Sequence, residues 1–201
     1  MSRRDSPEPT QPTTRQRILD IAGDLFFRKG YRAVGVDTIV QEAGVAKMTL
    51  YRYFPSKDDL IVAYLEQVNQ VFWDWFDAAI GPFEGEPRRQ LAAVFAALEK
   101  LVKSPKCYGC AFLAAASEFP ELDSPGHRVA LAHKQAVRDR FHGLAGQAGA
   151  RQPDVLADQL LLLMDGAFAA VRVFGQGNSG ASVADAATTL IEAQLGPAHS
   201  R

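Results

Sequence analysis

From residue 13 onward, hydrophobic residues recur at intervals of three and four, and no segment alternates them at two. A half-buried strand needs the two-residue period and a helix face needs 3.6, so the spacing predicts an all-α chain. The segments are separated by glycine- and proline-rich breaks: GPFEGEP at 81–87, KSPKCYG at 103–109, PELDSPG at 120–126, GLAGQAGARQP at 143–153 and GQGNSGAS at 175–182. About nine helices result.

The first is expected over 13–29, opened by a Thr13/Gln16 capping box and closed by Lys29-Gly30. Two short helices follow, over 36–43 and about 46–53, and Pro55 ends the second. Ser56 with Asp59 starts a fourth, whose stripe of Ile61, Tyr64, Leu65, Val68, Phe72, Trp75 and Phe76 is long and increasingly aromatic. The remaining helices are expected over about 87–102, 108–119, 124–145, 153–174 and from 182, where Ser182 and Asp185 form a box-like cap. The eighth is apolar nearly all round, which predicts cover on two sides.

With 201 residues the chain is long enough for a sizeable core. Residues 1–12, with three prolines and four charges, cannot repay the entropy of ordering and are expected to be a disordered tail. No apolar leader precedes residue 13, and the longest apolar run, 160–171, carries Asp165 and is shorter than a bilayer requires. A cytoplasmic protein is expected, nucleoid-associated if it binds DNA, with no membrane partner. The formal net charge of -1 excludes a polybasic protein. Its distribution is uneven. Residues 1–57 hold ten basic and six acidic side chains, a net +4, whereas residues 58–201 carry -5. A local basic surface on a near-neutral chain fits a nucleic-acid reader joined to an acidic body.

That basic stretch contains VDTIVQEAGVAKMTLYRYF at 36–54, with the anatomy of a helix-turn-helix: a two-turn helix, a break at Gly44, and a short helix beginning on a small residue. Gly44 supplies the sharp turn, Val45 and Leu50 tie the helices together, and the outer face of the second is left with Lys47, Thr49, Tyr51 and Arg52. The stretch AGVAKMTLYRYFPSKDDL at 43–60 resembles the signature of the TetR family of bacterial ligand-responsive transcription regulators. The resemblance implies a homodimer that binds a palindromic double-stranded DNA operator with the third helix in the major groove. It also implies a C-terminal helical domain that binds a small-molecule effector. The domains are then 13–57 for DNA binding and 58–201 for ligand binding and dimerisation. By matching positions, Thr49 and Tyr51 face the groove or its walls, Lys47 and Tyr53 meet phosphates, Lys57 donates to the DNA backbone, and Asp37 and Thr38 contact phosphate or bases. Two positions depart from the family pattern: Ala46, where a capping Ser is common, and Met48, where a small residue is usual. Met48 either meets a thymine methyl or packs.

In the C-terminal half, Phe72, Trp75, Phe76, Phe95, Leu98, Phe112, Met164 and Phe168 are candidate pocket lining for an apolar or aromatic effector, though each also reads as ordinary core. Glu118, His133, Asp165 and Arg172 are candidate polar anchors. Helices 8 and 9, paired with their symmetry mates, would form a four-helix dimer interface through Leu160, Leu163, Ala167, Val171, Phe174, Val183, Ala187, Leu190 and Ile191. Neither a cofactor nor a metal is expected. Cys107 and Cys110 allow a second reading, a thiol-based redox-sensing regulator, because a C-x-x-C pair at a helix start lowers a thiol pKa. A remote third reading, a helical enzyme with a vestigial DNA-binding head, requires Cys110, His127 and Asp123 to converge. No nucleophile elbow, phosphate loop or metal-binding helix accompanies them, so no catalytic residue is expected.

Overall fold

The computed structural model describes residues 12–175 and 182–196, in two compact units that divide after Tyr64. Most of the expected tail and of the 175–182 break lies outside the described residues. Among the described residues there are nine α-helices and no strand.

The first unit contains α1 (Thr14–Lys29), α2 (Val36–Ala43), α3 (Lys47–Tyr53) and the start of α4 (Lys57–Ile80). Each end has a local cause. Thr13 accepts from the Gln16 N–H at 3.2 Å, and Ser56 accepts from the Asp59 N–H at 3.1 Å while its hydroxyl donates to the Asp59 carboxylate at 2.7 Å. Satisfying orphan N–H groups in this way fixes where α1 and α4 begin. Gly44 closes α2 in the left-handed conformation, φ 61°, and the Val45 N–H then reaches the Val40 carbonyl at 3.1 Å. Ile18, Phe26, Tyr31, Ile39, Leu50, Phe54 and Leu60 fill the centre of the unit with almost no exposure. The unit extends past the expected boundary at residue 57 because Leu60, Ile61 and Tyr64, in the first turns of α4, are part of this core. Gly23 lies against Tyr64 so closely that a Cβ on it would sit 2.6 Å from the ring.

The second unit contains the rest of α4, a 3-10 turn (Gly81–Phe83), α5 (Pro87–Val102), α6 (Ala111–Glu118), α7 (Pro125–Gln147), α8 (Pro153–Phe174) and α9 (Val183–Leu195). At its centre Phe141 stacks on Phe95, ring centroids 5.6 Å apart, and meets Phe76 at a tilt, 5.8 Å apart, among Leu91, Leu98, Val137, Leu160 and Met164. Helix α6 starts three residues later than the periodicity suggests. Gly109 holds φ 106° and Cys110 is extended, so the chain cannot be helical before Ala111. A Cβ at Gly109 would sit 2.7 Å from the Arg172 side chain of α8, which leaves glycine as the residue that fits. Ser182 does not cap α9 with its side chain. Instead Glu99 of α5 reaches across to accept from the Ala184 N–H at 3.3 Å, while Lys103 donates to the same carboxylate at 2.6 Å. These contacts hold the Glu99 carboxyl below its ordinary pKa, the Lys103 bond being the larger cause.

Helix α8 is not covered on two sides by the described residues of the chain. Leu156, Leu160, Met164, Ala167, Phe168 and Val171 are buried, whereas Val155, Leu162, Val173 and Phe174 remain exposed.

Candidate functional site

Helix α3 presents its polar face to solvent because Leu50, wholly buried, and Phe54 anchor the opposite face. No side chain caps α3 at Ala46; the Ala46 carbonyl accepts from Thr49 N and Leu50 N at 2.8 and 3.3 Å. Lys47, Met48, Tyr51 and Arg52 are exposed, while Thr49 and Tyr53 are half-buried. Met48 is 79% exposed, so it does not pack in the head. The Arg52 guanidinium lies 5.1 Å over the Tyr53 ring, and Arg15 lies 5.0 Å from the Phe54 ring, so each arginine is steadied by an aromatic face. Asp37, at the start of α2, pairs with Lys47 at 2.7 Å. That bond, with the charge of Asp37, raises the Lys47 pKa and keeps the ammonium charged. Thr38 is half-buried on the same first turn of α2. Lys57 donates to the Arg32 carbonyl at 3.4 Å, joining the start of α4 to the segment between α1 and α2. The structure thus collects Asp37, Thr38, Lys47, Met48, Thr49, Tyr51, Arg52, Tyr53 and Lys57 on one small unit.

The candidate effector residues separate into groups. Phe72, Phe112 and His133 meet: the His133 ring stacks on Phe112 at 3.6 Å between centroids and meets the Phe72 edge at 4.7 Å. His133 is buried, and its Nδ1–H donates to the Asn69 Oδ1 at 2.7 Å. Burial, with a smaller contribution from the charge of Lys134, lowers its pKa to about 3, so the ring is neutral. Phe76, Phe95, Leu98, Met164 and Phe168 are closed core, and Trp75 is partly buried against them. Asp165 is neutralised by Lys134 in an ion pair between α8 and α7, Glu118 is engaged, and Arg172 is engaged and lies against Gly109. An open apolar trench of about 470 Å³ lies elsewhere, along α5, lined by Ala79, Phe83, Ala92, Ala93, Ala96 and Ala97 together with Arg89 and Lys100. Sequence reasoning missed Asn69, Trp73 and Lys134. Asn69 carried a signal, being a polar residue on the apolar stripe of Leu65, Phe72 and Phe76.

Six of the nine expected dimer residues need correction. Leu160, Ala167, Val171, Val183, Ala187 and Ile191 are buried in the chain's own core and have little surface to offer a partner. The stripe chosen from the sequence is the inward one, because α8 is apolar on both faces and periodicity does not say which faces in. Leu163 and Leu190 are partly buried against the same core, and Phe174 alone of the set is largely exposed.

The cysteines are free thiols, and burial raises the Cys107 pKa. That opposes the lowering expected of a helix start, because α6 begins only at Ala111 and Cys107 lies in the preceding loop. His127 donates Nδ1–H to the Phe119 carbonyl at 2.7 Å, and Arg128 binds the Asp123 carbonyl. Among the described residues no hydrogen bond joins His127 to Asp123 or Cys110, so the arrangement required by the enzyme reading is not assembled. No group of acidic, histidine and cysteine side chains suited to a metal, and no helix long and apolar enough to cross a membrane, occurs among the described residues.

Residues 18–64 match the family described as bacterial regulatory proteins, tetR family. The fold as a whole matches the crystal structure of SCO4454, a TetR-family transcriptional regulator from Streptomyces coelicolor, with a TM-score of 0.81 and 36% identity over 90% of this chain and 94% of that one. The chain belongs to the TetR family. A putative TetR transcriptional regulator of Streptomyces avermitilis is similar at 32% identity, TM-score 0.79, covering 91% of this chain and 98% of that one. The HTH-type transcriptional regulator YjdC of Escherichia coli is 25% identical over 152 residues, 76% of this chain and 80% of its own length. These relatives are transcriptional regulators, and a TetR regulator is a DNA-binding protein of helix-turn-helix type. The matched segment ends at Tyr64, where the first compact unit ends.

Proposed function

We propose that this TetR-family protein is a cytoplasmic, homodimeric repressor that binds a palindromic operator through α3 and is released by a small apolar or aromatic effector. The observation that carries the reading is the exposed face of α3, where Lys47, Met48, Tyr51 and Arg52 stand on a head whose own core is complete without them. A side chain that contributes nothing to the core is free to serve a groove. Lys47 and Lys57 meet phosphates, Thr49, Tyr51 and Met48 reach base edges or groove walls, and Asp37 holds Lys47 in place until phosphate competes for it. The seven-residue α3 makes too few contacts alone for operator-grade affinity. Two copies reading half-sites about 34 Å apart supply them.

The dimer forms through the outward face of α8, where Val155, Leu162, Val173 and Phe174 are exposed, together with the outer face of α9. Helix α4 belongs to both units, so displacement of its later turns by an effector moves the turns that help to build the head. Selection of bound fragments from genomic DNA tests the reading. Enrichment of an inverted repeat with half-sites about one helical turn apart is expected, and enrichment of no common sequence would overturn it.

A further inference from the structure

Four polar side chains stand among the candidate effector residues, and three are already spent. Asp165 is paired with Lys134, and Glu118 and Arg172 each have partners. The fourth, His133, is different. Its Nδ1–H is committed to the Asn69 Oδ1 at 2.7 Å. A carbonyl oxygen only accepts, so the proton sits on Nδ1 and Nε2 presents a bare lone pair. Nε2 has no hydrogen-bond partner among the described residues, yet no side-chain nitrogen or oxygen there is both buried and unpaired. Nε2 therefore keeps some accessible surface on this otherwise buried ring. The ring is held by Phe112 stacked at 3.6 Å between centroids and by Phe72 in a T-shaped contact at 4.7 Å, with the Trp73 ring centroid at 6.4 Å.

Resting on the reading of the second unit as an effector domain, we propose that His133 Nε2 is the polar anchor of the effector site and accepts a hydrogen bond from an uncharged aromatic or apolar molecule carrying one O–H or N–H donor, a phenol-like ligand. The lone pair and the rings around it turn away a carboxylate, which brings no donor. Nor does the ring protonate to receive an anion, because burial holds its pKa near 3. A cation would need a carboxylate, and Asp165 is neutralised by Lys134. An ether of the same shape leaves Nε2 without a donor while losing its access to water, an expensive outcome in an apolar site. Asn69 and Phe72 lie on α4, the helix common to both units, so a ligand held on His133 sits against the element that would carry the signal.

The test uses the full chain and its two tryptophans, Trp73 and Trp75, as reporters. Titration with 4-tert-butylphenol and with 4-tert-butylanisole, followed by tryptophan fluorescence, is expected to show the phenol binding about tenfold more tightly. In His133→Phe both probes are expected to bind alike. In case that variant does not fold, a long-range proton–nitrogen spectrum of the unmodified protein is expected to show Nε2 unprotonated from pH 5 to 8 and shifted by the phenol alone. Equal affinity for the two probes, binding of neither at millimolar concentration, a preference that survives in His133→Phe, or a protonated Nε2 would each overturn the proposal. Operator binding by the ligand-free protein, measured on the same samples, separates this failure from failure of the regulator reading, since only the latter requires that DNA binding be lost.

Discussion

Replacing Leu162 with alanine tests the proposed dimer face of α8. Its side chain is 72% exposed in the single chain, so truncation removes little that the monomer uses, and a change within about 0.5 kcal/mol in monomer stability is expected. In a two-fold dimer the same side chain is buried. Full burial of a leucine contributes about 1.5–3 kcal/mol, and scaled by the fraction still exposed this leaves about 1–2 kcal/mol per protomer. Two copies give about 2–4 kcal/mol, or about 30- to 700-fold in the dimer dissociation constant. Sedimentation equilibrium over a concentration series measures it directly. Leu160→Ala is the control, because Leu160 is wholly buried; it is expected to cost about 2–5 kcal/mol of folding stability and to act on association only through that. A Leu162→Ala protein that dimerises like wild type would refute the outward face as the interface.

Gly23→Ala is expected to destabilise the head by up to about 2 kcal/mol, since overpacking against Tyr64 costs about 1–3 kcal/mol and the helix preference of alanine returns about 1. The Tyr64 ring cannot swing clear, being packed against Phe26 and Tyr31. Gly143→Ala in α7, where a Cβ meets nothing within 4 Å, is expected to stabilise by about 0.5–1 kcal/mol; urea titration reads both. His133 binds a proton less readily folded than unfolded, so stability rises with pH between about 3 and 6.5 and is lost as pH falls through that window. At pH 5 the loss is expected to be about 2 kcal/mol relative to pH 8, and a His133→Gln protein that shows the same pH dependence in thermal melts would contradict it. Asp37→Asn releases Lys47 from its ion pair and is expected to tighten DNA binding at low salt and steepen the salt dependence. Unchanged binding in a mobility-shift series would count against the competition between Asp37 and phosphate.

Local rules carried most of the helix boundaries. Thr13, Ser56, Ser124, Gly30 and Gly44 act where capping chemistry places them, because a cap depends on residues within three or four positions. Caps supplied from a distance were not legible. Ser182 reads as the cap of α9, but Glu99, 85 positions before Ala184, provides the acceptor for the Ala184 N–H. The exposed polar face of α3 was legible for the same reason as the caps: α3 is short, and two buried residues, Leu50 and Phe54, fix its orientation. The faces of α8 were not, since leucine, valine and phenylalanine occupy both sides and tertiary packing alone selects the inner one. The polar anchors were likewise ambiguous. Asp165 and His133 look equivalent in the sequence, and only the partners Lys134 and Asn69 distinguish a spent group from one with a lone pair left.

The central claim is that α3 reads DNA, and it is tested most directly by the salt dependence of operator affinity in three proteins: wild type, Lys47→Ala and Tyr51→Ala. Both substituted side chains are exposed, so the fold and the dimer are expected to persist. Tyr51→Ala is expected to weaken operator binding by about 1–3 kcal/mol with little change in salt slope. Lys47→Ala is expected to weaken binding to all sequences and to lower the log–log salt slope by about 2, one phosphate contact from each protomer. Wild-type affinity and slope in both variants would contradict the account.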